Sequence, residues 1–223
     1  MRKPANDTDK MRNRAITLTR LEALGDAIFA FALTLLALDI RLPDIGSSGL
    51  ARGIIMLLPK LLVFVFAFLL IAQEWDVHQR TMMHVVRTDG IFVWLYLLSL
   101  MCVVLMPVSA NVLGRFPLQP LSIVFFGINM ALLCMASWIM WQYASHKGNL
   151  LDENIEPYLI KLLSRLWLYP PVIIVMTIPF SFISVYPVYI VWFLMPIISY
   201  SYSTWAFRRY RSKTSYKSKS VTR

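Results

Sequence analysis

Charge is the property that this chain has least of. Only 15% of its 223 residues are Asp, Glu, Lys or Arg, and 58% are hydrophobic. A soluble domain carries roughly 25% charged and 45–50% apolar residues, so the deficit excludes a soluble globular domain. The apolar residues are also grouped in blocks of about the ~17–25 residues that a membrane-spanning helix needs. Together with a mean hydropathy of +0.60, this grouping predicts an integral membrane protein.

Residues that carry enzyme chemistry are few as well. The three histidines, His78, His84 and His146, show no H-x-x-x-H or Cys/His metal spacing. No serine lies in a nucleophile-elbow motif, and no Gly-rich phosphate loop occurs. The cysteines Cys102 and Cys134 lie inside apolar segments, where buried free thiols are expected and the redox compartment is not indicated. The sequence predicts a protein that is no enzyme and holds neither a cofactor nor a metal.

The apolar blocks predict an all-α membrane fold with six transmembrane helices. The last two are separated only by the short connection ISVYP, which predicts a helical hairpin. A six-helix membrane domain at 20–207 therefore lies between a basic N-terminal segment, 1–19, and a basic tail, 208–223. The six predicted helices cover residues 21–42, 54–75, 89–113, 119–143, 162–182 and 186–207.

The basic residues indicate the orientation of the chain in the cell membrane. Eighteen of the 22 Lys and Arg residues fall on one side of the alternating spans, so the positive-inside rule predicts that both termini are cytoplasmic. The net charge of +10 does not indicate nucleic-acid binding, because the cations lie at termini and loops and not in an aromatic-interleaved soluble domain. The tail RRYRSKTSYKSKSVTR is predicted to meet the anionic headgroups of the bilayer.

The first predicted helix has an unusually short apolar run. Within RLEALGDAIFAFALTLLALDIRLP, the twelve residues from Ala27 to Leu38 contain one polar side chain, Thr34. They rise about 18 Å, which is less than the ~30 Å hydrocarbon core. The helix is also rich in alanine, which suits close packing, so it is predicted to face protein or water. Phe31, Thr34, Leu35 and Leu38 follow i, i+3, i+4, i+7 and share one face.

Asp26 precedes that apolar run and needs a partner, because an unpaired carboxylate inside a membrane is costly. It lies about 140° around the helix from Phe31. The second helix ends in IAQEWDVHQR, where Trp75 and His78 are three residues apart and project the same way. Their ring N–H groups are natural donors to Asp26. An interfacial location for both rings is an alternative that the spacing leaves open.

The run RLEALGDAIFAFALTLLALDI resembles the first-helix signature of the transmembrane protein 175 family of potassium channels. The core of that signature is R-x-x-x-F-S-D followed by an apolar helix. Arg20 and Asp26 match its Arg and Asp at the same spacing, whereas Leu24 and Gly25 replace its Phe and Ser. EWDVHQR is similar to the segment with the Trp and His that close the second helix in the family. The likeness covers nearly the whole chain.

The resemblance implies a homotetramer in which the first helix of each subunit lines a central pore. The family has no TVGYG filter, and none occurs here. Apolar rings and a ring of threonine hydroxyls form the constriction, and the corresponding positions are Phe31, Thr34 and Leu38. These lie on the face that the spacing also selects, together with Leu35. The implied partners are potassium ions, the lipid bilayer and further copies of the chain.

In this arrangement Asp26 does not touch the ion. It holds the first helix against Trp75 and His78 and so fixes the rotation that aims Thr34 inward, and Arg20 is a second tether at the cytoplasmic end. The implied function is a potassium-selective or potassium-preferring channel with a hydrophobic gate.

Two alternatives stand beside the channel. A threonine in an apolar helix commonly bonds back to its own i−4 carbonyl, and a Phe/Leu stripe is commonly packing. A proton- or cation-coupled secondary transporter would use Asp26 as its coupling group. Transporters tend to show internal repeats and a midplane site, whereas this chain shows no internal repeat, and Asp26, Glu22 and Asp39, the acids that could couple transport, lie towards helix ends. A scaffolding protein would leave the Arg20–Asp26 pattern unexplained.

Overall fold

The computed structural model describes residues 7–38, 40, 49–147, 150–199 and 201. These residues are almost entirely helical, which confirms the predicted all-α class. A π-helical turn, Tyr143–Lys147, prolongs the fourth helix, and a 3-10 helix, Ile178–Phe182, prolongs the sixth. The α-helices are α1 (Asp7–Leu38), α2 (Leu50–His84), α3 (Gly90–Arg115), α4 (Pro120–Gln142), α5 (Pro157–Leu166), α6 (Tyr169–Thr177) and α7 (Val185–Ser199).

Five helical stretches of the described chain are long and apolar enough to cross a bilayer. They are Leu18–Leu38, Arg52–His84, Gly90–Arg115, Pro120–His146 and Pro157–Phe182. The helix α7 is apolar but shorter. Residues 200 and 202–207 of the sixth predicted span lie outside the described residues, as do 39, 41 and 42 of the first, so a count of six stays a prediction. The basic tail 208–223 and residues 1–6 also lie outside.

Several helix bounds differ from the sequence-based ones. α1 begins at Asp7 and α2 continues to His84, because hydropathy marks where a helix leaves the apolar layer and not where its hydrogen bonding ends. The predicted span 162–182 is interrupted after Leu166. Pro170 and Pro171 have no N–H to offer the carbonyls four residues earlier, so the helix cannot continue through them.

Burial divides the helices into an inner and an outer set. In the α4 span 61% of the most apolar window is buried within the subunit, whereas in the α1 and α2 spans the share is 28%. α3 and α4 pack against each other, and α1 packs against α2 and α3. Much of α1 is therefore left uncovered by its own subunit. The largest fully buried side chains include Trp141, Trp192, Tyr96, Phe92 and Phe126.

A small clasp joins the α2–α3 connection to the chain that precedes α5. The carbonyl of Leu150 accepts hydrogen bonds from the backbone N–H groups of Val86, at 2.9 Å, and of Arg87, at 3.1 Å. Val85 and Leu151 form an antiparallel bridge, and Arg87 pairs with Glu153 at 3.1 Å. The clasp fixes the end of α2, the helix that carries the side chains facing Asp26.

Candidate functional site

Helix α1 has a buried face and an exposed face. Phe29, Ala32 and Leu36 are buried at helical spacing with Gly25 and pack towards α2 and α3. Phe31 and Leu38 are 64% and 65% exposed. The same exposed face carries Thr34 and three alanines, and Leu35 lies half-buried at its edge. The residues that share this exposed side are Ala27, Ala30, Phe31, Thr34, Ala37 and Leu38.

The hydroxyl of Thr34 is oriented by its own helix. Its Oγ1 donates a hydrogen bond of 2.8 Å to the carbonyl of Phe31, three residues earlier and not four. A hydroxyl has one proton and two acceptor lone pairs. Since the proton is directed at the backbone, the lone pairs of the oxygen remain available on the exposed face. This geometry is compatible with a packing residue and with an oxygen ligand for a cation.

Asp26 joins α1 to α2 through two hydrogen bonds. Its Oδ1 accepts from Trp75 Nε1 at 2.9 Å and from Gln79 Nε2 at 2.7 Å. Trp75 is thus a donor to the carboxylate, which is one of the two places that the sequence left open for it. The second donor is Gln79, which the sequence reasoning missed. Its position four residues after Trp75 was the available signal, because residues at i and i+4 of a helix share a face.

His78 lies beside α1 but makes other contacts than the predicted one. The imidazole is buried, and its ring is stacked 5.4 Å from that of Phe29 and tilted 5.3 Å from that of Tyr96. Its Nε2 is 3.5 Å from the hydroxyl oxygen of Tyr96. In the part of the chain that the structure describes, His78 forms no hydrogen bond with Asp26. Packing beneath Gly25 takes the place of the predicted bond.

Arg20 is exposed at the same end of α1. Among the described residues, no carboxylate lies within ion-pair distance of its guanidinium. Its part as a tether therefore stays a prediction. No three His, Cys, Asp or Glu side chains of the described chain gather into a group that could hold a metal ion.

Glu74 is a buried carboxyl that the sequence reasoning missed. It is 3% exposed on α2, and its two oxygens accept from Cys134 Sγ at 3.1 Å and from Ser137 Oγ at 3.2 Å. Both donors are on α4 and three residues apart, so they share a face. The signal was an acid inside the predicted span 54–75. The three side chains tie α2 to α4, next to the residue that contacts Asp26.

Comparison with known proteins finds chains that are similar to this one. Residues 20–107 match the family model described as endosomal/lysosomal potassium channel TMEM175. A potassium channel of Chamaesiphon minutus is 29% identical over 174 residues, which are 75% of this chain and 85% of that protein. A potassium channel of Streptomyces collinus is 29% identical over 142 residues, 61% of this chain and 69% of that one.

The fold is similar to a solved structure. The crystal structure of a lysosomal potassium-selective channel TMEM175 homolog from Chamaesiphon minutus matches with a TM-score of 0.73 and 25% identity. The match covers 84% of this chain and 98% of that chain. The human endosomal/lysosomal proton channel TMEM175 is 24% identical over 139 residues, which are 28% of its length. The family model therefore covers the first helices, and the similarity of fold extends over most of the chain.

Proposed function

We propose that the chain is a member of the TMEM175 family of ion channels, in keeping with the matches to that family, and from that premise that it is a potassium-preferring channel of the cell membrane. It is a multi-pass membrane protein and not an enzyme. The selectivity is proposed because two of its relatives carry the name potassium channel. Both termini are proposed to be cytoplasmic, in keeping with the distribution of Lys and Arg.

The proposed channel is a homotetramer of six-helix subunits with four copies of α1 around a central axis. The low burial of α1 within its own subunit supports this assembly, because an apolar and alanine-rich face needs a protein neighbour or a pore. Ala27, Ala30 and Ala37 are exposed beside Thr34. Small side chains allow neighbouring helices to approach closely, so adjacent α1 helices can pack at the axis.

The exposed stripe of Phe31, Thr34 and Leu38 is the observation that carries the proposed pore. Along the axis, Thr34 lies about 4.5 Å from the level of Phe31 and about 6 Å from that of Leu38, at 1.5 Å per residue. Four Thr34 oxygens in one ring replace part of the hydration shell of a cation, and the apolar rings on either side gate by dewetting. Leu35 supports the stripe from its half-buried edge.

Asp26 is proposed to orient this stripe and not to contact the ion. Its hydrogen bonds to Trp75 and Gln79 attach α1 to α2 on a side of the helix away from Phe31. The attachment fixes the rotation of α1 and therefore the direction in which Thr34 points. Arg20 is proposed to act at the same end of the helix through a partner in the assembled channel.

Replacing Thr34 tests the proposed pore. Purified protein in liposomes should carry passive, voltage-driven potassium flux without a proton gradient. Thr34→Ala removes the ring of oxygens, so the potassium-over-sodium permeability ratio, measured from reversal potentials, should fall severalfold. Thr34→Ser keeps the hydroxyl and is the matched control, with a ratio close to that of the wild type.

Two results would contradict the proposal. Flux that requires a proton gradient and saturates at a low turnover indicates a coupled transporter that uses Asp26. A permeability ratio that Thr34→Ala leaves unchanged means that the ion is selected elsewhere in the protein.

A further inference from the structure

Gly25 lies at the closest approach of α1 to two neighbouring helices. It is buried, and a Cβ added to it would lie 2.1 Å from the hydroxyl oxygen of Tyr96 and 2.7 Å from Nε2 of His78. Real Cβ atoms do not approach other atoms so closely. The backbone of α1 therefore rests directly on two side chains, one from α3 and one from α2. This close contact is possible because Gly25 has no side chain.

Tyr96 makes a polar contact at the same place. It is fully buried, and its hydroxyl donates a hydrogen bond of 2.7 Å to the backbone carbonyl of Leu21, one turn before Gly25. The rings of His78 and Phe29 continue the stack on the other side of the phenol. Side chains or backbone of α1, α2 and α3 thus meet around one hydroxyl group.

We propose that Tyr96 is a positioning residue of α1, and that its phenol acts by packing against the helix backbone at Gly25. The inference rests on the proposed function, because it requires α1 to line the pore. Gly25 and Asp26 are consecutive and therefore about 100° apart around the helix. The phenol holds one side of α1 and the Asp26 hydrogen bonds hold another. One anchor alone leaves a helix able to pivot about it, whereas two anchors in different directions fix its rotation.

The contact at Gly25 affects the orientation of Thr34 because the helix is continuous between the two residues. The two residues are nine apart, about 13.5 Å along the axis, with no proline between them. A rotation of α1 at Gly25 therefore turns the Thr34 stripe by the same angle. The Tyr96 ring sets how far α1 stands from α3, and its hydroxyl sets the axial level through the Leu21 carbonyl.

Tyr96→Phe separates positioning from folding. It keeps the ring and removes the hydroxyl, which donates to Leu21 and also lies 3.5 Å from Nε2 of His78. The Leu21 carbonyl still accepts the helical N–H four residues later, and the contact with His78 belongs to the same meeting point of three helices that the variant tests. The matched control is Tyr189→Phe. The Tyr189 hydroxyl likewise donates 2.7 Å to a backbone carbonyl, that of Pro117, away from α1.

The two variants are compared in three measurements. These are the melting temperature in detergent, potassium flux in liposomes, and the rate of thiol labelling of a Thr34→Cys background. Both native cysteines are buried, so labelling reports position 34. We expect similar small losses of melting temperature in both variants. Only Tyr96→Phe should change the labelling rate and the flux severalfold.

Each other outcome is decisive. If Tyr96→Phe lowers the melting temperature but leaves labelling and flux as in the control, Tyr96 is structural and the inference is overturned. If labelling changes while flux does not, Tyr96 positions α1 and the pore role of α1 is what fails.

A double-mutant cycle tests whether Tyr96 and Gly25 act together. Gly25→Ala should lower the melting temperature and the flux less in the Tyr96→Phe background than alone. If the effects of the two substitutions are additive, Gly25 and the Tyr96 phenol do not act through their contact.

Discussion

Asp26 is held by neutral donors, with no cation in contact among the described residues. Both bonds converge on Oδ1, and each is charge-assisted, which makes it stronger than a bond between neutral groups. The carboxylate thereby attaches two helices while both hydrogen bonds satisfy it at the edge of the apolar run. This combination explains how an acid can lie directly before twelve residues that are almost entirely apolar.

Asp26→Asn should weaken this attachment without changing the preference for potassium. The amide oxygen of asparagine can take the place of Oδ1 and accept both hydrogen bonds, but it is neutral, so neither bond is charge-assisted. We expect a loss of about 1 kcal/mol in the free energy of unfolding, the difference between hydrogen bonds to charged and to neutral groups, together with impaired assembly or gating. Asp76→Asn is the control, because Asp76 is exposed and, among the described residues, pairs with the neighbouring Arg80, a contact worth about 0.3–0.5 kcal/mol. A collapse of selectivity with assembly intact would place Asp26 in the ion path.

Single-residue contacts were predictable where they depend on one helix and its nearest neighbour. The pairing of Trp75 with Asp26 followed from an acid that needs a donor. Gln79 was missed because a glutamine near a helix end is usually solvated. Tyr96 was missed because its place beside Gly25 depends on how α3 crosses α1, which no local pattern encodes. For the same reason the spacing on α2 indicated a hydrogen bond or an interfacial place for His78 and missed its packing role.

At the scale of helices, composition predicted the existence of the elements better than their ends. The apolar blocks correspond to the observed spans, but α1 and α2 run well beyond them. The break between α5 and α6 was foreseeable from Pro170 and Pro171, since tandem prolines cannot donate to the preceding turn. Hydropathy alone cannot report it, because both sides of the break are apolar.

The contact of α4 with the last helices depends on Gly127. A Cβ there would lie 2.7 Å from Trp192 Cη2 and 3.0 Å from Ile178 Cδ1. The buried indole cannot retreat easily, because its Nε1 donates a 2.7 Å bond to Thr177 Oγ1. Gly127→Ala should therefore cost about 1–3 kcal/mol of unfolding free energy through overpacking, seen as a lower melting temperature.

Gly90→Ala is the matched control for this substitution. Gly90 is also helical, at the start of α3, but a Cβ there would meet nothing within 4 Å. Its melting temperature should equal or slightly exceed that of the wild type, because alanine favours helix more than glycine does. Equal melting temperatures for the two variants would show that α4 has room to move away from Trp192.

At the scale of the whole molecule, a pore lined by the exposed stripe of α1 requires several subunits arranged around one axis. We predict four subunits in the detergent-solubilised particle, counted by native mass spectrometry. A short bifunctional thiol reagent should link subunits through Thr34→Cys but not through Met176→Cys, which is 67% exposed on α6. The buried native cysteines keep the background low. A monomer, or equal cross-linking at both positions, would rule out a pore formed by α1.

The length of α2 carries its last turns beyond the apolar layer. Its 35 residues rise about 52 Å, some 20 Å more than the ~30 Å hydrocarbon core. The apolar run ends before Glu74 and the segment EWDVHQR that follows is polar, so a bilayer leaves this end of α2 outside its hydrocarbon core. Trp75 and Gln79 belong to that segment, so their hydrogen bonds to Asp26 attach α1 at the rim of the membrane, directly before its apolar run.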